Sequence, residues 1–338
     1  MNKILFITLV LFSFACNEST NSDQSKKEVS PRKTLGTIES LDPSLATLIN
    51  KDAAVEIIAE GHKWTEGPLW IESEKMLLFS DIPPNKIFKW TEEKGEELYL
   101  TPSGYTGSVP RGGEPGSNGL LLNKEGKLVL CQHGDRRMAL MDAPLNAPAP
   151  KFITLADNYQ GKKFCSPNDA VFRSNGDLFF TDPPYGMVAD TVRELNFQGV
   201  YKLSGGKVSL LVDSITKPNG IAFWNNEKTL IVACSDPDKA VWYLYDIGAN
   251  DSLVNQRLLL DATPLSKSKL PGLPDGLKVD KSGNIFATGP GGVFIFNASG
   301  KQIGKINIPE PTSNIALADD DKTMYITANM YVLRVKMR

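Results

Sequence analysis

Asn219-Gly220-Ile221-Ala222-Phe223 decides the fold because the same pattern recurs along the chain. A polar amide or carboxylate followed by a short apolar strand returns as Glu66-Gly67-Pro68-Leu69-Trp70, Asn118-Gly119-Leu120-Leu121-Leu122 and Asn168-Asp169-Ala170-Val171-Phe172. It returns again as Asp275-Gly276-Leu277-Lys278-Val279 and Asn314-Ile315-Ala316-Leu317-Ala318. The leading residues are 52, 50, 51, 56 and 39 positions apart, close to the ~40–50 residues of one propeller blade. Each unit continues through a polar turn, such as Ser174-Asn175-Gly176 or Lys281-Ser282-Gly283, into a second apolar strand, which makes a hairpin. Third and fourth strands follow, as at residues 200–203 and 208–212. The expected fold is all-β, a six-bladed β-propeller of four-stranded antiparallel blades over residues 51–338. Val55-Glu56-Ile57-Ile58-Ala59 precedes the first inner strand, and the last unit ends at Val335-Lys336 without an outermost strand. The N-terminal strand is therefore expected to complete the last blade and close the ring, leaving no open edge.

In a propeller the first strand of each blade lines the axis, so Glu66, Asn118, Asn168, Asn219, Asp275 and Asn314 are expected to form a ring at one mouth of the channel. Asn-Gly and Asp-Gly are also ordinary turn formers, and one alone would be read as a turn. Six in register, each ahead of the hairpin turn, point instead to a shared purpose. Carboxylates and carboxamides without His or Cys are hard oxygen donors, which suit Ca2+ first, then Mg2+ or Mn2+, with Zn2+ the weakest match. Second strands return to the same face, bringing Asp81, His133, Asp182 with Tyr185, Ser235 with Asp236, and Thr288 towards it. His133, in Cys131-Gln132-His133-Gly134-Asp135-Arg136-Arg137, is a candidate general base or a loop-bonding imidazole; His62 has no such placement. Arg111 and Glu114, in the Gly-rich approach to the second unit, are candidates to overhang the mouth, or else belong to a solvated loop.

The 338 residues carry 37 basic and 39 acidic side chains, a net charge of −2, and 41% hydrophobic residues. Near-neutral charge gives no reason to expect nucleic acid, and the expected partner is a small neutral molecule, with the chain a monomer or weak dimer. No Gly-x-Ser-x-Gly elbow, phosphate-cradling loop or dinucleotide fingerprint occurs. Lys3 followed by the uncharged run Ile4 to Ala15 reads as a signal peptide, too short to span a bilayer. Ser13-Phe14-Ala15-Cys16 resembles a lipoprotein cleavage site, although no Leu stands three residues before the cysteine. Residues 1–16 are thus expected to direct export to the periplasm or outer membrane, with membrane attachment only through a lipid on Cys16; ordinary secretion is the alternative. Residues 17–50 are expected to be a flexible tether. Cys131, Cys165 and Cys234 follow no metal or redox spacing and are read as small buried hydrophobes, with a single disulfide as the alternative.

Over residues 55–338 the chain resembles the gluconolactonase and senescence-marker-protein family of six-bladed propellers. Thr65-Glu66-Gly67-Pro68-Leu69-Trp70, Ser166-Pro167-Asn168-Asp169, Lys217-Pro218-Asn219-Gly220-Ile221-Ala222 and Leu273-Pro274-Asp275-Gly276-Leu277-Lys278-Val279-Asp280 carry the resemblance. The stretch from His133 to Arg137 is similar to bacterial members and departs from the animal branch. The resemblance implies that Glu66, Asn219 and Asp275 hold the metal, with Asn168 a fourth ligand or a substrate contact. Hydrolysis of a sugar lactone is the implied reaction, with Asp275 as first candidate for general base and His133 as second. Arg111, Asn118, Asn168 and Tyr185 are the expected substrate contacts. Two alternatives stay open: a calcium-dependent hydrolase of another ester or phosphoester with Asp275 as nucleophile, and a non-catalytic sugar- or protein-binding lipoprotein.

Overall fold

The strands Met76–Asp81, Leu128–Gln132, Leu178–Asp182, Ile285–Gly289 and Thr323–Ala328 are buried along their whole length, so both faces of each sheet must be covered, which stacking sheets around an axis achieves. The computed structural model describes residues 1, 31–189 and 193–338, so the expected signal peptide, Cys16 and most of the expected tether lie outside the described residues. Arg32–Arg338 forms one compact unit. Its six blades begin on the inner strands Thr65–Ile71, Ser117–Leu122, Ala170–Phe172, Pro218–Trp224, Leu277–Val279 and Thr312–Ala318. Each is the first of four antiparallel strands, and the apolar faces of successive blades meet in separate buried clusters. The 56-residue interval before Asp275 accommodates two nine-residue strands, Lys239–Ile247 and Leu253–Asp261, and the short helix Thr263–Lys267.

Ring closure is as expected. Val55–Glu60 is the outer strand of blade six, with Val55 opposite Val335 and Glu60 opposite Tyr331. The tether, however, ends earlier than expected. Thr37–Ser40 adds a fifth strand to blade five, opposite residues Gly304 to Asn307, and a 3-10 turn follows at Pro43–Thr47. The cause is a sparse set of apolar residues in a polar segment. Leu45 and Ile49 are fully buried against Ile303 and Ile306, with Leu35, Ile38 and Leu48 packed alongside. Gly304 makes room, since a Cβ there would lie 2.7 Å from Leu45 Cδ2. Cys131, Cys165 and Cys234 are buried thiols, matching the reading as small hydrophobes rather than a disulfide.

His62 is a structural group. Its Nδ1 lies 3.2 Å from Asp81 and its Nε2 3.1 Å from Glu96, with Phe79 and Phe88 against the ring. Burial disfavours the imidazolium, but the bonds to the two carboxylates outweigh it and raise the pKa from 6.5 to about 9. Because the folded value lies above the unfolded one, the stabilisation is complete below pH 6.5 and is lost as pH rises through 9. Unfolding free energy from urea titrations should therefore fall by about 1–2 kcal/mol over that window, allowing for solvent near Glu96. In His62→Gln this slope should vanish, and an unchanged slope would rule the pair out as its source.

Candidate active site

Five of the six ring side chains line the channel mouth, and the inner strands are locally irregular where they begin. Pairing slips between Glu66 and Leu69, Ser117 and Leu120, Pro218 and Ile221, and Thr312 and Asn314. Such an extra residue re-aims a side chain without ending the sheet. In blades three and five the ring residue precedes the regular strand, and Asn168 and Asp275 are held through their N–H groups by the Thr181 and Thr288 carbonyls, at 2.9 and 3.1 Å. The glycine after a ring residue is a packing requirement. A Cβ on Gly67 would lie 2.1 Å from the Asn118 carbonyl oxygen, one on Gly220 2.2 Å from that of Asp275, and one on Gly276 2.1 Å from Asn314 Cγ. Gly220→Ala should therefore cost about 2–3 kcal/mol by chemical denaturation, as overpacking does; an unmoved midpoint would mean that blades four and five separate freely.

These starts enclose a cavity of about 340 Å³, to which Glu66, Asn118, Asn168, Asn219 and Asp275 contribute from five blades. Trp64, Glu114, Tyr185, Ser235, Leu273 and Pro311 are among its other walls. Asn118 Oδ1, Asn168 Oδ1, Asn219 Oδ1 and Asp275 Oδ1 are buried and have no hydrogen-bond donor among the described residues. Leaving one such oxygen unpaired costs about 1–3 kcal/mol, so four on a shared cavity are acceptors open to a cation or a donor from a ligand. Asn219 shows the orientation directly: its Nδ2 donates to Ser235 Oγ at 3.0 Å, which fixes which end of the amide is left as the unpaired oxygen.

Charge points the same way. The Asp275 carboxyl is raised well above the usual carboxylate range, first by burial and then by Glu66 and Asp169; Glu66 is raised by burial, with Asp169 adding to it. A divalent cation would favour both ionised forms. The donors fit a hard, oxygen-seeking ion such as calcium, because carboxamide oxygens supplement the two acids. Among the described residues no three His, Cys, Asp or Glu side chains form a metal-binding group by themselves.

Asn314, the sixth ring residue, does not line the cavity. Its Oδ1 accepts from Ile315 N–H at 2.8 Å and from Lys278 Nζ at 3.3 Å, while its Nδ2 donates to Asp169 Oδ2 at 3.3 Å. It links a buried acid to a cation below the ring. His133 is wholly buried and is not a lining residue; its Nδ1 lies 3.5 Å from Glu114, which is one. Arg111 does not line the cavity either, since its guanidinium donates to the carbonyls of Gly134, at 2.6 Å, and Gly186. Tyr185 lies on the wall, where burial and then the Asp275 charge push its phenol up.

The second-strand acids serve the incoming loops instead of the cavity. Asp81 accepts from Lys63 and Trp64 N–H, and Asp182 from Cys165 and Ser166 N–H, all within 2.7 to 3.1 Å. Of the residues expected at those strand ends, Tyr185 and Ser235 reach the cavity. In four blades a hydroxyl near the end of the second strand has a task the ring pattern did not reveal. Ser80 Oγ donates to the Asn118 carbonyl at 2.9 Å, Thr181 Oγ1 to that of Asn219 at 2.8 Å, Ser235 Oγ to that of Pro274, and Thr288 Oγ1 to that of Ser313 at 3.1 Å. These hydroxyls tie blades one, three, four and five each to the start of the next. Their signal in the sequence is the repeated small hydroxyl in Phe79-Ser80-Asp81, Phe180-Thr181-Asp182 and Cys234-Ser235-Asp236.

Residues 64–330 match the family described as SMP-30/Gluconolactonase/LRE-like region. A gluconolactonase of Zymomonas mobilis is 35% identical over 328 residues, 94% of this chain and 91% of that protein. A pentonolactonase of Haloferax volcanii is 24% identical over 272 residues, 78% of this chain and 80% of that protein. Among solved structures, a gluconolactonase of Xanthomonas campestris superposes with a TM-score of 0.77 at 25% identity, over 92% of this chain and 99% of that one.

Proposed function

This chain belongs to the SMP-30/gluconolactonase/LRE-like family, and from that premise we propose that it is a cation-dependent hydrolase that opens sugar lactones. The observation that carries the reading is the convergence of four unpaired oxygens, from Asn118, Asn168, Asn219 and Asp275, on a cavity large enough for a monosaccharide ring. The names of the relatives, a gluconolactonase and a pentonolactonase, support the substrate class.

Glu66, Asn168, Asn219 and Asp275 would hold the ion, with Asn118 beside them; calcium is the best match to these donors. When bound, it supplies Lewis-acid polarisation of the lactone carbonyl. Asp275 accepts the proton of a water molecule as the water oxygen attacks that carbonyl carbon. The ring C–O bond then breaks, and the proton passes to the departing ring oxygen, leaving a hydroxy acid. Trp64, Tyr185 and Leu273, which line the cavity, would offer apolar surface to the carbon face of a sugar. Acid release from D-glucono-δ-lactone and from pentonolactones, followed with a pH indicator in calcium, tests the proposal. Turnover well above the spontaneous rate is expected, and none with any aldonolactone would contradict it. A single turnover in oxygen-18 water should leave Asp275 unlabelled, since label in its carboxylate would make it a nucleophile.

A further inference from the structure

One acid on the cavity wall lies outside the ring. Glu114 sits on the Gly-rich approach to blade two, and its charge is felt at Glu66, Asp275 and Tyr185. Its carboxylate lies 3.5 Å from Nδ1 of His133. That imidazole is wholly buried, and neither ring nitrogen has a hydrogen-bond partner. A buried imidazole without partners is costly, so packing alone does not account for it, and Glu114 is its one ionic neighbour among the described residues.

The segment carrying Glu114 is pinned. Arg111 reaches across to the Gly134 and Gly186 carbonyls and lies 5.7 Å over the Tyr105 ring, while the Tyr105 hydroxyl donates to the Val109 carbonyl at 2.7 Å. Gly186 packs against the histidine so closely that a Cβ there would stand 2.4 Å from His133 Cβ. Glu114 is thus a placed carboxylate. Ionised, it offers only acceptor sites, and the groups that seek acceptors on a sugar lactone are its hydroxyls. A lactone without hydroxyls would cover this partly exposed carboxylate without offering it a donor, which is how a site rejects an analogue lacking the group it was built to bind.

We propose that Glu114 selects hydroxylated lactones by accepting hydrogen bonds from the sugar hydroxyls, and that His133, whose Nδ1 lies 3.5 Å away, is the positioning residue against which its carboxylate rests; this rests on the lactonase reading above. The test compares kcat/KM on D-glucono-δ-lactone and on δ-valerolactone, which lacks the hydroxyls, for the wild type, Glu114→Gln, Glu114→Ala and His133→Gln. Glu114→Ala should lose on the order of 100-fold on the sugar lactone, mostly through KM, and change less than about 3-fold on δ-valerolactone. Glu114→Gln, whose amide oxygen still accepts, should lose about 10-fold, and His133→Gln should shift the ratio of the two substrates in the same direction. Equal losses on both lactones, or none on the sugar lactone, overturn the proposal. Should δ-valerolactone turn over too slowly to measure in every form, an unchanged KM for the sugar lactone in Glu114→Ala overturns it. A wild type inert towards every lactone overturns the lactonase reading instead.

Discussion

Asp275→Asn is expected to lower kcat for lactone opening by about 10³-fold, the usual contribution of a positioned general base, while the protein stays folded. The backbone at this position is held independently of the side chain, since Asp275 N–H bonds the Thr288 carbonyl and Gly276 N–H that of Ser313, at 3.1 and 2.6 Å. The substitution keeps the shape and removes a charge that Glu66 and Asp169 already disfavour. The melting temperature without added metal should therefore equal or exceed the wild type's, because relieving repulsion between buried acids is stabilising. Full turnover in Asp275→Asn would remove Asp275 from the chemistry. A lowered melting temperature with no folded fraction would show that the side chain is structural.

The second large effect is expected from the cation. Stripping the protein with a chelator should bring lactone opening close to the spontaneous rate, and calcium should restore it, with magnesium or manganese less effective. The four oxygens to which no described residue donates are the reason. Loading should also stabilise the fold by about 2.7 kcal/mol at a hundredfold excess over the dissociation constant. Scanning calorimetry of stripped protein, with and without calcium, reads this as a rise in melting temperature. Identical melting curves together with undiminished turnover in chelator would leave the ring without its proposed purpose.

The blade plan was legible because each ring residue is followed by a strand and a polar turn at a steady interval, and because Val55 to Ala59 had no blade of its own. The attachment of Thr37–Ser40 and Leu45 was not. A few apolar residues scattered among polar ones average to the composition of a tether, and only the groove beside Gly304 gives them somewhere to go. Within the site, the repeat brought Glu66, Asn118, Asn168, Asn219 and Asp275 to one cavity, yet the same reasoning placed Asp81 and Asp182 at the mouth as well. They fail to reach it because the loops entering blades one and three run past with backbone N–H groups that need acceptors. Asn314 likewise shares the register of its neighbours but bonds Lys278 and Asp169, contacts between distant residues that no local pattern encodes. Glycine carried a double meaning as well: after a polar residue it reads as a turn, whereas at Gly67 and Gly220 it lets one blade's start touch the next.

The most direct measurement is a crystal structure of the calcium-loaded protein. It should show one ion at the channel mouth with side-chain oxygens of Glu66, Asn168, Asn219 and Asp275 at about 2.3–2.6 Å. An ion bound elsewhere, or those four side chains splayed beyond reach of a common centre in crystals saturated with calcium, would contradict the account.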